Sequence, residues 1–143
     1  MGLRDRNAYG LGAWDWTFLE DCFPRHLAPG DIDGAVILEN GYCLFLEGKR
    51  ADATRPPLLS EGQMKAFRSL TRVGNCTVIV VGGDPETSEV YWMKLLGPRG
   101  ETDWKRASIT DVQRIVRLWA ERYDGRPAFW EARREDEFES WSD

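Results

Sequence analysis

The sequence predicts an α/β domain, a mixed central sheet flanked by helices. Three observations predict it. Apolar runs of strand length recur at residues 32–38, 42–48, 76–82 and 89–96. Segments 12–23, 60–71 and the stretch from Thr110 carry apolar residues at helical spacing. The order α, ββ, α, β, β, α mixes the two kinds closely enough that the helices must pack on one sheet.

Each element has its own signal. In 12–23, Trp16, Leu19, Glu20 and Phe23 fall at i, i+3, i+4 and i+7, and Pro24 and Pro29-Gly30 then break the chain. Residues 32–38 (IDGAVIL) and 42–48 (YCLFLEG) flank Glu39-Asn40-Gly41, an Asn-Gly hairpin signal. Both runs are nearly continuously apolar, so both sheet faces are expected to be covered. Ser60 can cap a helix running to about Thr71, with Met64, Phe67 and Leu70 as its apolar stripe. Strand 76–82 (CTVIVVG) is expected to end at Gly82-Gly83-Asp84-Pro85, and 89–96 (EVYWMKLL) to return beside it as a hairpin. The crossover from 42–48 through 60–71 to 76–82 is a βαβ unit, so its two strands should be parallel. Thr110 opens the last helix. Val112, Ile115, Val116, Trp119 and Tyr123 line one side, and Gly125 and Pro127 end it. One domain is expected over 1–143, with its core at about 10–125 and a mobile acidic tail at 126–143.

Composition limits the function. The 143 residues are 42% hydrophobic and 12% aromatic, which excludes a disordered chain. Nineteen Lys and Arg against 24 Asp and Glu give a net charge of −5, which argues against a bulk electrostatic nucleic-acid binder or a basic membrane helix. Cys22, Cys43 and Cys76 are widely spaced, and His26 is the single histidine, read as a loop residue. A Cys/His zinc site and a disulfide framework are therefore not expected. No leader-like apolar core opens the chain and no apolar run reaches about 20 residues, so a cytoplasmic protein without a membrane partner is expected. There is no P-loop and no GxSxG elbow, which disfavours a nucleotide hydrolase or a serine hydrolase.

The chemistry gathers at one end of the first hairpin. Asp33 opens the first strand, and Glu47, Gly48 and Lys49 close the second. Antiparallel pairing brings these ends together. Glu47 and Lys49 are two apart and share a face. Two carboxylates and an ammonium among apolar strands need partners, and a hard cation such as Mg²⁺ or Mn²⁺ suits the carboxylates. Asp31 is a rival to Asp33, although it stands nearer the Pro29-Gly30 break.

Asp33, a hairpin, then Glu47-Gly48-Lys49 resembles the PD-(D/E)XK nuclease superfamily. Gln63 on the following helix resembles the glutamine of its Holliday-junction-resolvase-like and VRR-NUC-like branches. The resemblance spans about residues 14–82. It implies a restriction-endonuclease-like core of the αβββαβ type and a Mg²⁺- or Mn²⁺-dependent hydrolysis of phosphodiesters, in DNA above all. It also implies Asp33, Glu47 and the Gly48 carbonyl as metal ligands, with Glu20 holding a metal-bound water. Lys49 would activate the attacking water and Gln63 would position water or phosphate. The pattern departs from the family in having Ile32 where its proline would precede the aspartate.

Several residues also have plainer readings. Ser60-x-x-Gln63 is a capping box, and Thr110-x-x-Gln113 has the same form. Glu47 and Lys49 alone would be a surface pair worth under about 1 kcal/mol. Arg55, Lys65, Arg68 and Arg72 form a basic run; the last three share a helix face and suit either solvent or a phosphate backbone. Trp104, in a polar stretch, could stack on a base. A homodimer would let two copies cut two strands. The competing function is a nuclease-fold binding module without activity.

Overall fold

The computed structural model describes residues 16–22 and 32–130. The chain divides into two compact units, Met1–Ile32 and Asp33–Asp143. In the first, Trp16–Cys22 is a 3-10 helix rather than part of the expected α-helix over 12–23. Its Trp, Thr, Phe, Asp and Cys rank low as α-helix formers, and 3-10 geometry suits such short pieces. Residues 12–15 and 23, and with them His26, Pro29, Gly30 and Asp31, lie outside the described residues.

The second unit opens with the expected hairpin. Strands β1 (Gly34–Ile37) and β2 (Cys43–Arg50) run antiparallel, with Gly34 opposite Leu46 and Ile37 opposite Cys43. The Leu38 N–H donates to the Tyr42 carbonyl at 2.9 Å and the Gly41 N–H to the Leu38 carbonyl at 3.0 Å. Gly41 has φ +88°, the left-handed conformation that a three-residue hairpin loop asks of its last residue.

Helix α1 (Glu61–Arg72) comes next, capped by Ser60 as expected. It crosses to β3 (Cys76–Asp84), which lies parallel to β2 in an eight-residue register from Cys43–Cys76 to Arg50–Gly83. Strand β4 (Glu89–Gly97) pairs antiparallel with β3. Two further strands, β5 (Gly100–Glu101) and β6 (Lys105–Arg106), pair with β4 and complete a six-stranded mixed sheet. At two residues each they are too short to leave a periodic signal. Helix α2 (Ile109–Tyr123) closes the unit. Its cap is Ser108, whose hydroxyl accepts from the Asp111 N–H while the Asp111 carboxylate accepts from the Ser108 N–H. Thr110 and Gln113 therefore do not form the capping box.

Strand alternation sorts the core into two layers. Val78, Val80 and Leu96 face α1 and pack with Phe45, Met64 and Phe67. Leu44, Ile79 and Met93, with Leu46 and Val81, face α2 and pack with its Val112, Ile115, Val116, Trp119 and Tyr123. Leu44, Val78, Ile79 and Val80 are fully buried, each worth about 1.5–3 kcal/mol on burial. The prediction of a sheet covered on both faces holds for the middle strands and fails at the edge: Val36 is 42% and Ile37 69% exposed.

Two glycines correct the expected end of the third strand. β3 runs on through Gly82 and Gly83 to Asp84, with a register shift between them. A Cβ on Gly83 would collide with the Glu89 carbonyl oxygen, and one on Gly82 would stand 2.8 Å from Cδ of Pro57. The glycines admit close neighbours; they do not break the strand.

The packed chain also continues past the expected boundary at 125. The Phe129 N–H donates to the Asn40 carbonyl at 2.8 Å, and the Asn40 amide donates to the carbonyls of Tyr123 and Arg126 at 2.8 and 3.1 Å. Tyr42 stacks on Tyr123 with ring centroids 4.7 Å apart. The acidic tail from 131 onward lies outside the described residues. Among the described residues no helix is long and apolar enough to cross a membrane.

Candidate active site

The hairpin places Asp33 one residue beyond the Gly34–Leu46 pair, so it stands across from Glu47. Its carboxylate Oδ2 accepts the Gly48 N–H at 2.9 Å. Where β1 stops, this side chain replaces the missing strand partner, as an unpaired ladder N–H requires. Asp33 thus joins the two strand ends and brings a carboxylate onto the Glu47-Gly48 backbone.

Glu47 and Lys49 are half-buried on β2. By alternation they share the face covered by α1, whereas Leu46 and Gly48 share the face covered by α2. In the parallel register Glu47 lies beside Val80, and Lys49 beside Gly82. Trp92 is the next residue in the Lys49 row, across β3. With no side chain at Gly82, Pro57 packs down onto the sheet there. The loop that carries Pro57 is held by Trp92, whose indole N–H donates to the Asp52 carbonyl at 2.9 Å, and by Arg106, which lies 5.0 Å from the centre of the Trp92 ring and donates to the Ala53 carbonyl at 2.5 Å. Within the loop the Thr54 hydroxyl and N–H hold the Asp52 carboxyl below the usual range. Lys49 therefore stands next to a fixed wall.

A cavity of about 320 Å³ opens at this end of the sheet. It opens on the α2 face, where Leu46, Ile79, Val81 and Val112 supply apolar walls and Asp33, Glu47, Gly48 and Gln113 border it. Its size falls at the lower end of ordinary ligand sites. The sequence pattern puts Gln113 in a helix cap. Starting α2 at Ile109 turns it toward this cavity instead, and the Ser108-x-x-Asp111 box is the signal that sets the helix start.

The metal expected at this end can be tested against the donors present. Asp33 and Glu47 stand opposite each other at the strand ends, and the Gly48 N–H donates to Asp33. The cavity, however, opens on the α2 face with the Asp33 carboxylate beside it, whereas alternation directs the Glu47 side chain to the α1 face. Hard oxygen donors in that number fit Mg²⁺, which is commonly held by one or two carboxylates and completes its shell with water and phosphate. Among the described residues no group of three or more His, Cys, Asp or Glu gathers in one place. Glu20 lies in the 3-10 helix of the first unit, and its side chain is outside the described residues.

Other expected residues are placed differently. Gln63 sits on the first turn of α1; its amide oxygen accepts the Ser60 N–H at 3.3 Å, completing the capping box. Arg55, Lys65 and Arg72 are exposed. Arg68 forms a two-bonded pair with Glu101, at 3.0 and 2.8 Å. The Arg68 hydrogen bonds hold the Glu101 carboxyl below its usual range, and Glu101 in turn raises Arg68. Arg68 is thus neutralised within the fold, unlike the strip read from the sequence. Trp104 is half-buried against Val78, Val80 and Leu96, a correction to its expected free place in a polar loop. The short strands on either side turn it inward.

Comparison of the chain with protein-family models, with curated proteins and with solved structures finds no match.

Proposed function

We propose that this protein is a metal-dependent nuclease, acting on DNA in the first instance. The observation that carries the reading is the convergence of Asp33 with Glu47 and Gly48, with Lys49 two residues beyond Glu47. A restriction-endonuclease-like core is part of the same proposal; the hairpin, the α1 crossover and the parallel β2–β3 pair support it.

Asp33, Glu47 and the Gly48 carbonyl would hold Mg²⁺ or Mn²⁺. Bound there, the ion would supply charge neutralisation at the phosphate and a more acidic water. Asp33 keeps its carboxylate in place through the Gly48 N–H. Glu47 supplies the second oxygen ligand from a rigid strand. Lys49 projects from the same face, beside the Pro57 and Trp92 wall, where its ammonium offsets phosphate charge and orients water. Lys65 and Arg72 of α1, with Arg55 before it, offer exposed positive charge for the backbone of the substrate.

The test is cleavage of plasmid, single-stranded and branched DNA with Mg²⁺ or Mn²⁺, for the wild type, Glu47→Gln and Lys49→Ala. Metal-dependent cutting by the wild type, lost about a hundredfold or more in both variants with melting curves unchanged, is the expected result. A Glu47→Gln protein that cuts like the wild type sinks the assignment. The second reading, a nuclease-like module that binds without cutting, is favoured by the Arg68–Glu101 pair and the inward Trp104, which both reduce the surface for nucleic acid. It predicts no carboxylate-dependent heat when Mn²⁺ is titrated into the protein.

A further inference from the structure

At the opposite end of β2 from the carboxylates, Cys43 and Cys76 are direct register partners in the parallel β2–β3 pair. Partners of this kind project to the same face of the sheet. Adjacent strands stand about 4.7–4.9 Å apart, inside the span of about 4.4–6.8 Å between Cα atoms that a disulfide bridges. The backbone around them is tied. The Cys43 N–H donates to the Asn75 carbonyl at 2.9 Å, and the Asn75 amide donates to the Gly41 carbonyl at 3.0 Å. The two thiols differ in access: Cys43 is half-buried and Cys76 is 8% exposed.

We propose that Cys43 and Cys76 form a redox-responsive dithiol that closes to a cross-strand disulfide by exchange with a small soluble disulfide of the glutathione class. The Cys43 thiolate attacks one sulfur of the oxidant. The oxidant's S–S bond breaks, one thiolate leaves and takes up a proton, and Cys43 carries the mixed disulfide. Cys76, as thiolate, then attacks the Cys43 sulfur and displaces the second thiolate, which is protonated in turn. Two protein thiols are oxidised and one disulfide is reduced to two thiols. In the dithiol, burial first and then the charge and hydrogen bond of the Cys43 thiol push the Cys76 thiol up to about 11. Burial, the largest cause, persists when Cys43 carries the mixed disulfide, so the closing step is slow near neutrality and quickens as pH rises. A bridge across directly paired strand positions is constrained by the sheet, which makes it readily reducible. It would fasten the tip of the hairpin to the start of β3, independently of the nuclease reading.

The experiment uses the full chain carrying Cys22→Ser, so that only this pair remains. The folded protein is incubated with oxidised glutathione at several pH values, quenched in acid and alkylated. Intact mass and peptide mapping then read the products. The expected product has both thiols protected, no glutathione adduct and a Cys43–Cys76 linkage that dithiothreitol reverses. Closing should accelerate about tenfold per pH unit between about 7 and 9, following the thiolate fraction of Cys76. Adding Cys76→Ser should stop the reaction at a glutathione adduct on Cys43, and the bridged protein should melt higher than the reduced one. The same protein in urea serves as the control that the oxidant is active. Two thiols that stay alkylatable in the folded chain, or a reaction that halts at the adduct at every pH, would overturn the proposal.

Discussion

Gly83 has no room for a side chain, because the Glu89 backbone passes where its Cβ would stand. The obstacle is a carbonyl oxygen in a paired strand, which cannot rotate aside as a side chain would. Gly83→Ala must therefore open the β3–β4 pair at the bulge, and it should cost about 1–3 kcal/mol or more in chemical unfolding. Gly100→Ala is a useful contrast. Gly100 has open space around it but φ +135°, so its cost arises from the backbone alone and not from a collision. If Gly83→Ala unfolds at the wild-type denaturant midpoint, the close approach of β3 and β4 at this bulge is wrong. The same residue shows why the sequence misled. A Gly-Gly-Asp-Pro run is a good turn signal, and only the neighbouring strand reveals that the glycines are kept for contact.

The start of α2 can be settled by which hydroxyl supports it. The Ser108 side chain and the Asp111 carboxylate satisfy each other's backbone N–H groups, while Thr110 lies inside the first turn. Ser108→Ala should then cost about 1 kcal/mol of stability, whereas Thr110→Ala, at an exposed position inside the first turn, should be neutral or stabilise by a few tenths. The reverse order, measured by urea unfolding of the two variants, would place the cap where pattern alone puts it. Much of the remaining architecture was legible at this scale. The Asn40-Gly41 turn, the Ser60 cap and the length of the crossover are local signals, and they sufficed to give an antiparallel hairpin followed by a parallel strand. From those relations the meeting of Asp33 with Glu47 follows by register arithmetic. What the local pattern did not carry was anything decided across the sheet. The inward turn of Trp104, the Arg68–Glu101 pair and the docking of Phe129 on Asn40 each join residues far apart in the chain. The exposed β1 edge is likewise a property of strand order, since an apolar run reads the same at the edge of a sheet as in its middle.

For the whole molecule, the ionisable groups predict a stability that falls on both sides of a plateau, for different reasons. On the acid side, Thr54 lowers Asp52, Arg68 lowers Glu101 and the Ser108 N–H lowers Asp111. A carboxyl with a depressed pKa in the folded state stabilises the fold above its unfolded value and loses that contribution as pH falls through its folded value. The decline should therefore begin below about 4.5, the ordinary value for Glu101. All three groups lie at the surface, so each step is small, in the range of an ordinary solvent-facing ion pair. As the 24 carboxylates neutralise, 19 Lys and Arg are left unopposed, and their mutual repulsion deepens the loss. On the alkaline side the sign reverses. Cys76 is raised from 9.0 to about 11, chiefly by burial, and Tyr91 is raised from 10.0 by its hydrogen bond to Glu89. A raised group favours the folded state below its unfolded pKa and ceases to do so as pH climbs through the folded one. Denaturant midpoints taken from about pH 3 to 11 under reductant should thus hold level between about 5 and 9. Cys76→Ala is expected to lower the plateau through its lost packing. It should also remove the part of the alkaline decline that starts near 9 and leave the part from Tyr91 that starts near 10. Glu101→Gln should instead remove only its own small share of the acid limb and leave the alkaline one as it was. A Cys76→Ala protein that keeps the full decline from about pH 9 would show that the buried thiol is not what senses base, and that its neighbourhood with Cys43 is looser than the strand register implies.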